Sequence, residues 1–400
     1  MLTLRSLSCK PALLVVLLGV AASTSGCAAI ASRNALPAAQ ANRIELDGFR
    51  NIRFWGDGSP AELRAFMNAP SDAPEMHRPL ATTLAISGGA DDGAFAAGLL
   101  VGWSDSGTRP AFDLVTGISS GALIAPFAFI GSSRDAELRD LFTKYGRKDI
   151  FAYNVPSLLQ GSALVDDSPL AKLIATYVDA NLLQEIARER RKGRILLIGT
   201  TNLDAQRPVI WDMGRIAMSN DPEALPLFRK ILLASATLPG IFAPVRIQVR
   251  VGDRDYDELH VDGGVTRQVF VAPTIVSARA DHRRSDILAK PRIYVIRNGR
   301  IDPEFQPVND NLVAITQRSI STLIKNQSVG DLYRIYSIAR QDGIDFNLAS
   351  IPQDFSATSD QPFDLQYMNA LYDRAYDLAV HNYHWAKAPP GLETALRASN

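Results

Sequence analysis

From about residue 82 onward, short apolar runs alternate with helix-like stretches, and this alternation constrains the fold more than any other feature. Thr83 to Ile86 reads as a strand and Gly93 to Trp103 as a helix. Phe112 to Thr116 is a second strand, followed by a helix from Ser120 towards Phe129 and an amphipathic stretch from Ala136 to Tyr145. Arg194 to Thr201 is a strong strand and Pro208 to Trp211 a weaker one. Glu223 to Ala236 reads as helix, Glu258 to Val261 as strand, and Arg292 to Arg297 as a buried strand. Strands that alternate with helices predict an α/β fold, a mostly parallel sheet with both faces covered. After residue 308, Asn311 to Lys325, Asp331 to Gln341 and Phe363 to Tyr383 carry apolar residues at helical spacing, which predicts a helical C-terminal extension.

The chain has 400 residues, 46% of them hydrophobic and 21% charged, enough for a sizeable core. Its 42 Lys and Arg balance 42 Asp and Glu, so it has no net basic charge with which to release counterions from a nucleic acid, and no nucleic-acid partner is expected. The two cysteines, Cys9 and Cys27, precede the folded body, which excludes a disulfide framework and a Cys-rich zinc site there. Five scattered histidines show no metal-ligand spacing, so neither metal nor cofactor is expected. The basic run Arg188-Glu189-Arg190-Arg191-Lys192 reads as a solvated helix C-terminus, where cations are favoured.

The N-terminus reads as an export signal. Arg5 and Lys10 precede an apolar run, Ala12 to Ala22, that is too short to span a bilayer and is followed by small residues. Ser25-Gly26-Cys27 resembles a bacterial lipobox, with Thr24 where that pattern prefers Leu; an ordinary signal with an incidental Cys is the alternative. The resemblance implies acylation of Cys27 as the first mature residue, and Ala28 implies sorting to the outer membrane in a Gram-negative host. Cleavage removes Arg5, Lys10 and no acid, leaving 40 bases against 42 acids and no polybasic surface. The expected organisation is a signal over 1–26, a tether and N-terminal extension over 27–80, the main α/β domain over 81–275, and a completing strand with helices over 276–400.

Three motifs carry chemistry. Gly117-Ile118-Ser119-Ser120-Gly121 lies where a strand meets a helix, the context that gives G-x-S-x-G its meaning. Ser119 is the candidate nucleophile. Gly117 and Gly121 leave room for the sharp turn, and the helix beneath aims free N–H groups at developing negative charge. Ser87-Gly88-Gly89-Ala90-Asp91-Asp92-Gly93 follows another strand, and such a loop offers consecutive N–H groups to an anion. It lacks the Gly-Lys-Ser/Thr of a P-loop and the spacing of a dinucleotide site. Val261-Asp262-Gly263-Gly264 places a carboxylate at a strand end, although an isolated Asp-Gly is more often a simple turn.

Together, and in this order, these elements resemble the patatin-like phospholipase family. Ser235-Ala236-Thr237-Leu238-Pro239-Gly240-Ile241-Phe242-Ala243-Pro244-Val245 is similar to the family's segment before the aspartate strand. Phe54-Trp55-Gly56-Asp57 is similar to the leader of a bacterial lipoprotein-type subgroup. The resemblance implies a three-layer sandwich and a lipid acyl hydrolase. Ser119 would attack the ester, Asp262 would accept its proton as a Ser–Asp dyad, and the N–H groups of Gly88, Gly89 and Ala90 would hold the oxyanion. Two positions depart from the family pattern: Ala90 stands where Gly is usual, and Asp92 where a basic residue is usual. Positive φ at Ala90 would cost about 1 kcal/mol, and Asp92 would oppose catalysis if it faced the oxyanion.

Two other readings fit parts of the sequence. A Ser-His-Asp α/β-hydrolase would draw its histidine from His282, His381 or His384. A non-catalytic lipid-binding or scaffold lipoprotein would keep the fold with a disabled loop. Trp103, Trp211 and Trp385 read as packing residues, and His260 as a structural histidine on the aspartate strand.

Overall fold

The computed structural model describes residues 33–42, 44, 46–68, 81–153, 165–239, 241–271, 290–305, 307–359 and 361–392. The signal segment, Cys27, Gly240 and His282 lie outside these residues.

Nine strands form one sheet: β1 (Arg53–Trp55), β2 (Thr82–Ile86), β3 (Leu114–Gly117), β4 (Ile195–Asn202), β5 (Arg207–Asp212), β6 (Val245–Val251), β7 (Arg254–Asp262), β8 (Arg292–Arg297) and β9 (Asp345–Ser350). Five of them, β4-β3-β2-β8-β9, run parallel. β1, β5, β6 and β7 complete the sheet through antiparallel pairs at the β4 side. The α/β class and the mostly parallel sheet therefore stand.

Eleven α-helices accompany the sheet among the described residues: α1 (Pro60–Asn68), α2 (Gly93–Asp105), α3 (Ser120–Ile130), α4 (Asp135–Thr143), α5 (Arg147–Ile150), α6 (Ser168–Tyr177), α7 (Ala180–Arg191), α8 (Met213–Met218), α9 (Ala224–Ser235), α10 (Leu312–Gln341) and α11 (Leu365–Val380). The central strands are apolar on both faces because both are covered. Leu84 and Ile86 of β2 pack with Phe95, Leu99, Ala122 and Leu371, while Ala85 packs on the opposite face with Leu332 and Ile335 of α10. This is the expected three-layer arrangement.

The C-terminal part is more than an extension. β9 adds an edge strand that helical periodicity did not announce, because Phe346, Leu348 and Ala349 are buried there without a long apolar run. The two stretches read as separate helices form the single α10. α11 crosses α2 so closely that a Cβ on Gly98 would lie 2.2 Å from the Tyr372 carbonyl oxygen, a distance no side chain survives. The hairpin β6–β7 was half hidden as well: β6 buries only alternate residues and so lacks a continuous apolar run.

The basic run ending α7 needs correction. Arg188 and Lys192 are solvated, but the Arg190 side chain is fully buried and bonds Asp212 Oδ2 from Nη2 at 3.0 Å. Asp212 Oδ1 also accepts the Arg215 N–H at 3.0 Å and caps α8. A cation taken from water needs such a partner, and removing one member strands the other. Asp212→Ala is expected to lower stability by about 3–5 kcal/mol, read as a reduced urea midpoint with unchanged slope. The tryptophans behave as read: Trp103 packs against Tyr294 and Trp385, and Trp211 is fully buried.

Candidate active site

Register on one edge of β4 brings the site together. β3 occupies that edge from Ile195 to Ile198 and ends with Gly117 opposite Ile198. Beyond it, β7 runs in from the opposite direction and pairs from Asn202 to Thr200, ending with Asp262 opposite Thr200. Two strands thus meet end to end across Gly199, and the residues leaving their ends are Ser119 and Asp262. Close backbone approach at this junction explains the glycines: a Cβ on Gly121 would lie 2.4 Å from the Ile86 carbonyl oxygen. Gly117 sits at the end of β3, Gly263 beside Gly199, and Gly93 opens α2.

Ser119 has φ of +55° and is buried at the N-terminus of α3, the strained elbow expected of a nucleophile between strand and helix. Its N–H donates to Ser235 Oγ at 3.1 Å, and that hydroxyl in turn donates to the Gly199 carbonyl at 2.7 Å. Ser235 therefore ties the elbow to the strand junction. Asp262 is 1% exposed. Burial pushes its carboxyl up to about 6, with the Gly264 N–H and the nearby Ser119 hydroxyl, which stops short of hydrogen-bond geometry, acting against that rise. Oδ1 accepts the Gly264 N–H at 2.7 Å, while Oδ2 makes no hydrogen bond among the described residues. A buried carboxylate oxygen without a partner is costly and is typical of sites held ready for chemistry.

The Gly-rich turn lies against Ser119: a Cβ on Gly88 would come within 2.9 Å of the Ser119 Cβ. Its donors differ from expectation at one position. The Gly88 N–H is engaged by the Gln268 carbonyl at 3.1 Å, because Gln268 follows the aspartate turn and packs across the loop. The Gly89 and Ala90 N–H groups carry no hydrogen bond within the described residues. Ala90 does adopt positive φ, +51°, which costs about 1 kcal/mol.

Asp92 is half-buried and engaged by a side chain of α11. Its Oδ1 accepts the Tyr367 hydroxyl at 2.5 Å. Burial pushes its carboxyl up to about 7, although Tyr367 and the Arg297 guanidinium favour the charged form.

Several positioning residues had no sequence signal. Gln268 Nε2 donates to the Gly264 carbonyl at 2.9 Å, and its own N–H is held by Asp331 Oδ2 at 2.9 Å, so α10 braces both halves of the site. Asn298, just past β8, holds Ser87 through Nδ2 at 2.9 Å and accepts the Ala96 N–H at 3.1 Å. Such contacts join residues some 200 positions apart, beyond any local pattern.

In front of Ser119 lies an apolar cavity walled by residues including Leu123, Phe142, Leu170, Phe242, Phe363 and Met368. No described histidine lines it. His381 Nδ1 meets the Asp377 carbonyl at the end of α11. His260 is fully buried, with Nδ1 2.9 Å from Thr200 Oγ1 and Nε2 3.1 Å from Glu258 Oε2. Burial lowers its pKa, against the pull of the Glu258 carboxylate. Burial alone would raise Glu258, but the Arg53 charge and the His260 contact outweigh it and hold the carboxyl at about 2. His260 is a satisfied structural histidine, as the sequence reading has it.

An elbow serine, a buried carboxylate and a glycine-rich turn thus gather around one strand junction, with an apolar cavity in front of the serine. The family model for patatin-like phospholipases matches residues 84–275 of the chain. Solved structures similar to the chain include VipD from Legionella pneumophila, 12% identical with a TM-score of 0.32, covering 76% of this chain and 66% of that one. Human GIVD cytosolic phospholipase A2 is 10% identical with a TM-score of 0.34, covering 83% and 64%. The chain thus spans less than two thirds of the length of either protein. None of the curated proteins matches it.

Proposed function

We propose that this protein is a lipid acyl hydrolase that cleaves carboxylic esters through an acyl-enzyme. The observation that carries this reading is the meeting of strand ends that brings the Ser119 elbow, on the wall of an apolar cavity, towards the buried and raised carboxyl of Asp262. Ser119 Oγ attacks the ester carbonyl while its proton passes to Asp262. The Gly89 and Ala90 N–H groups receive the oxyanion, each donor worth about 2.7–4 kcal/mol in acyl transfer. Collapse of the intermediate expels the alcohol with a proton from Asp262. Water then cleaves the acyl-enzyme by the same route in reverse.

A carboxylate is a weak base for a serine hydroxyl, and the raised pKa of Asp262 narrows that gap. The apolar lining suits the acyl part of a lipid. A fluorophosphonate probe tests the assignment directly: the wild-type chain is expected to be labelled and Ser119→Ala to remain blank. A folded wild-type chain that takes no label would favour the non-catalytic lipid-binding reading.

Attachment through Cys27 belongs to the same proposal, at the periplasmic side of the outer membrane in a Gram-negative host. A tether holds the enzyme at a high effective concentration near lipid. Among the described residues no helix is long and apolar enough to cross a membrane. Cys27→Ser is expected to shift the expressed protein from the membrane to the soluble fraction, with hydrolysis of a soluble ester retained. Continued membrane pelleting at moderate salt would remove the anchor from the proposal.

A further inference from the structure

The wall of the cavity and the oxyanion turn are fastened to each other by side chains that neither the dyad nor the donor set uses. Phe363 and Met368 line the cavity from the start of α11, beyond the part of the chain that the family model matches. Asp91 Oδ2 accepts the Phe363 N–H at 3.1 Å, and Asp92 Oδ1 accepts the Tyr367 hydroxyl at 2.5 Å. The two acids directly follow Ala90, which lines the cavity together with Ser119. Both ends of the strap are strained, with φ of +51° at Ala90 and +58° at Phe363. Non-glycine residues keep such conformations only where their surroundings impose them. Phe363 is held from its other side too, its carbonyl accepting the Arg147 N–H at 3.1 Å.

We infer that Tyr367 is a specificity-determining positioning residue: its bond to Asp92 sets the Phe363–Met368 wall against the oxyanion turn, coupling the seating of a long acyl chain to the geometry at Ser119. The inference rests on the hydrolase reading above. A short acyl chain does not reach the α11 wall and is indifferent to the strap. A long chain presses on that wall and needs it fixed.

The coupling depends on pH. The charged groups facing Asp92 are Asp91 beside it, Arg297 of β8 and Glu304 beyond that strand, while Arg300 faces Tyr367 and Asp364 faces Asp91. Ionised Asp92 is the stronger acceptor for the Tyr367 hydroxyl. Its carboxyl titrates at about 7, so the strap tightens as pH rises through neutrality.

The experiment compares kcat/KM for p-nitrophenyl dodecanoate and butyrate in the full-length chain at pH 6 and pH 8. Taking the ratio of the two esters cancels the titration of Asp262. The wild-type ratio is expected to rise severalfold between the two pH values. Tyr367→Phe should lower dodecanoate hydrolysis about tenfold, leave butyrate within twofold, and flatten the pH dependence of the ratio. Asp92→Asn, a neutral acceptor that cannot ionise, should hold the ratio at both pH values near the wild-type value at pH 6. A parallel fall of both esters in Tyr367→Phe, or an unchanged ratio, overturns the inference.

Calorimetric binding of dodecanoate reads the same wall without hydrolysis, and Tyr367→Phe should weaken it at least fivefold. Equal affinity in both chains overturns the inference. A chain that binds dodecanoate in this Tyr367-dependent way but cleaves neither ester overturns the hydrolase reading alone.

Discussion

Replacing Ser119 by Ala is expected to reduce ester hydrolysis by at least about 10⁴-fold while leaving the fold intact, because the substitution deletes one oxygen and no covalent route remains. The position is demanding: Ser119 sits at φ of +55°, and Ala tolerates that backbone no worse than Ser does. Thermal unfolding should therefore stay close to wild type. Release of fatty acid measured by titration, with the unfolding midpoint beside it, separates lost chemistry from lost structure. Hydrolysis by a folded Ser119→Ala chain at wild-type rate would end the assignment.

Asp262→Asn is expected to lower kcat/KM by about 10²–10⁴-fold, the usual contribution of a positioned general base. In the wild type, activity should rise as pH passes through about 6, since only the ionised carboxylate accepts the serine proton.

The same substitution should raise stability, and the sign follows from linkage. Asp262 has a folded pKa above its unfolded value, so its ionised form is disfavoured in the fold. That penalty is absent at low pH and grows as pH rises from the unfolded value of about 3.9 through the folded value of about 6. Asn keeps the acceptor for the Gly264 N–H without carrying the charge. The midpoint of Asp262→Asn should exceed wild type by a few degrees at pH 8 and converge with it near pH 4. An Asn variant that is less stable at pH 8, or fully active, would remove Asp262 from the proton-transfer role.

Much of the site was legible because the backbone demands of a nucleophile turn are local. Gly117, Ser119 and Gly121 announce the elbow through residue size alone, and the strand before and helix after supply its context. The donor set was less legible. Whether the Gly88 N–H is free depends on a carbonyl 180 positions away at Gln268, and no spacing rule carries that information. Asp92 shows the same limit, since its sequence position allowed an opposing charge at the oxyanion or a solvated one. Its actual partner, Tyr367, lies 275 positions along the chain on a helix whose contact with α2 depends on Gly98 and Gly102.

The sequence by itself determined the layered α/β class and the strand and helix at each motif, and it singled out the serine and aspartate as candidates, because periodicity and turn chemistry act over a few residues. The tertiary structure decided which N–H groups remain unspent and that Arg190 is buried against Asp212 rather than solvated. It also decided that the C-terminal residues complete both the sheet and the cavity wall. Those outcomes are set by which distant strand or helix fills each remaining edge and face. On the edge of β4, the ending of β3 at Gly117 left room for β7 to bring Asp262 in from the opposite direction.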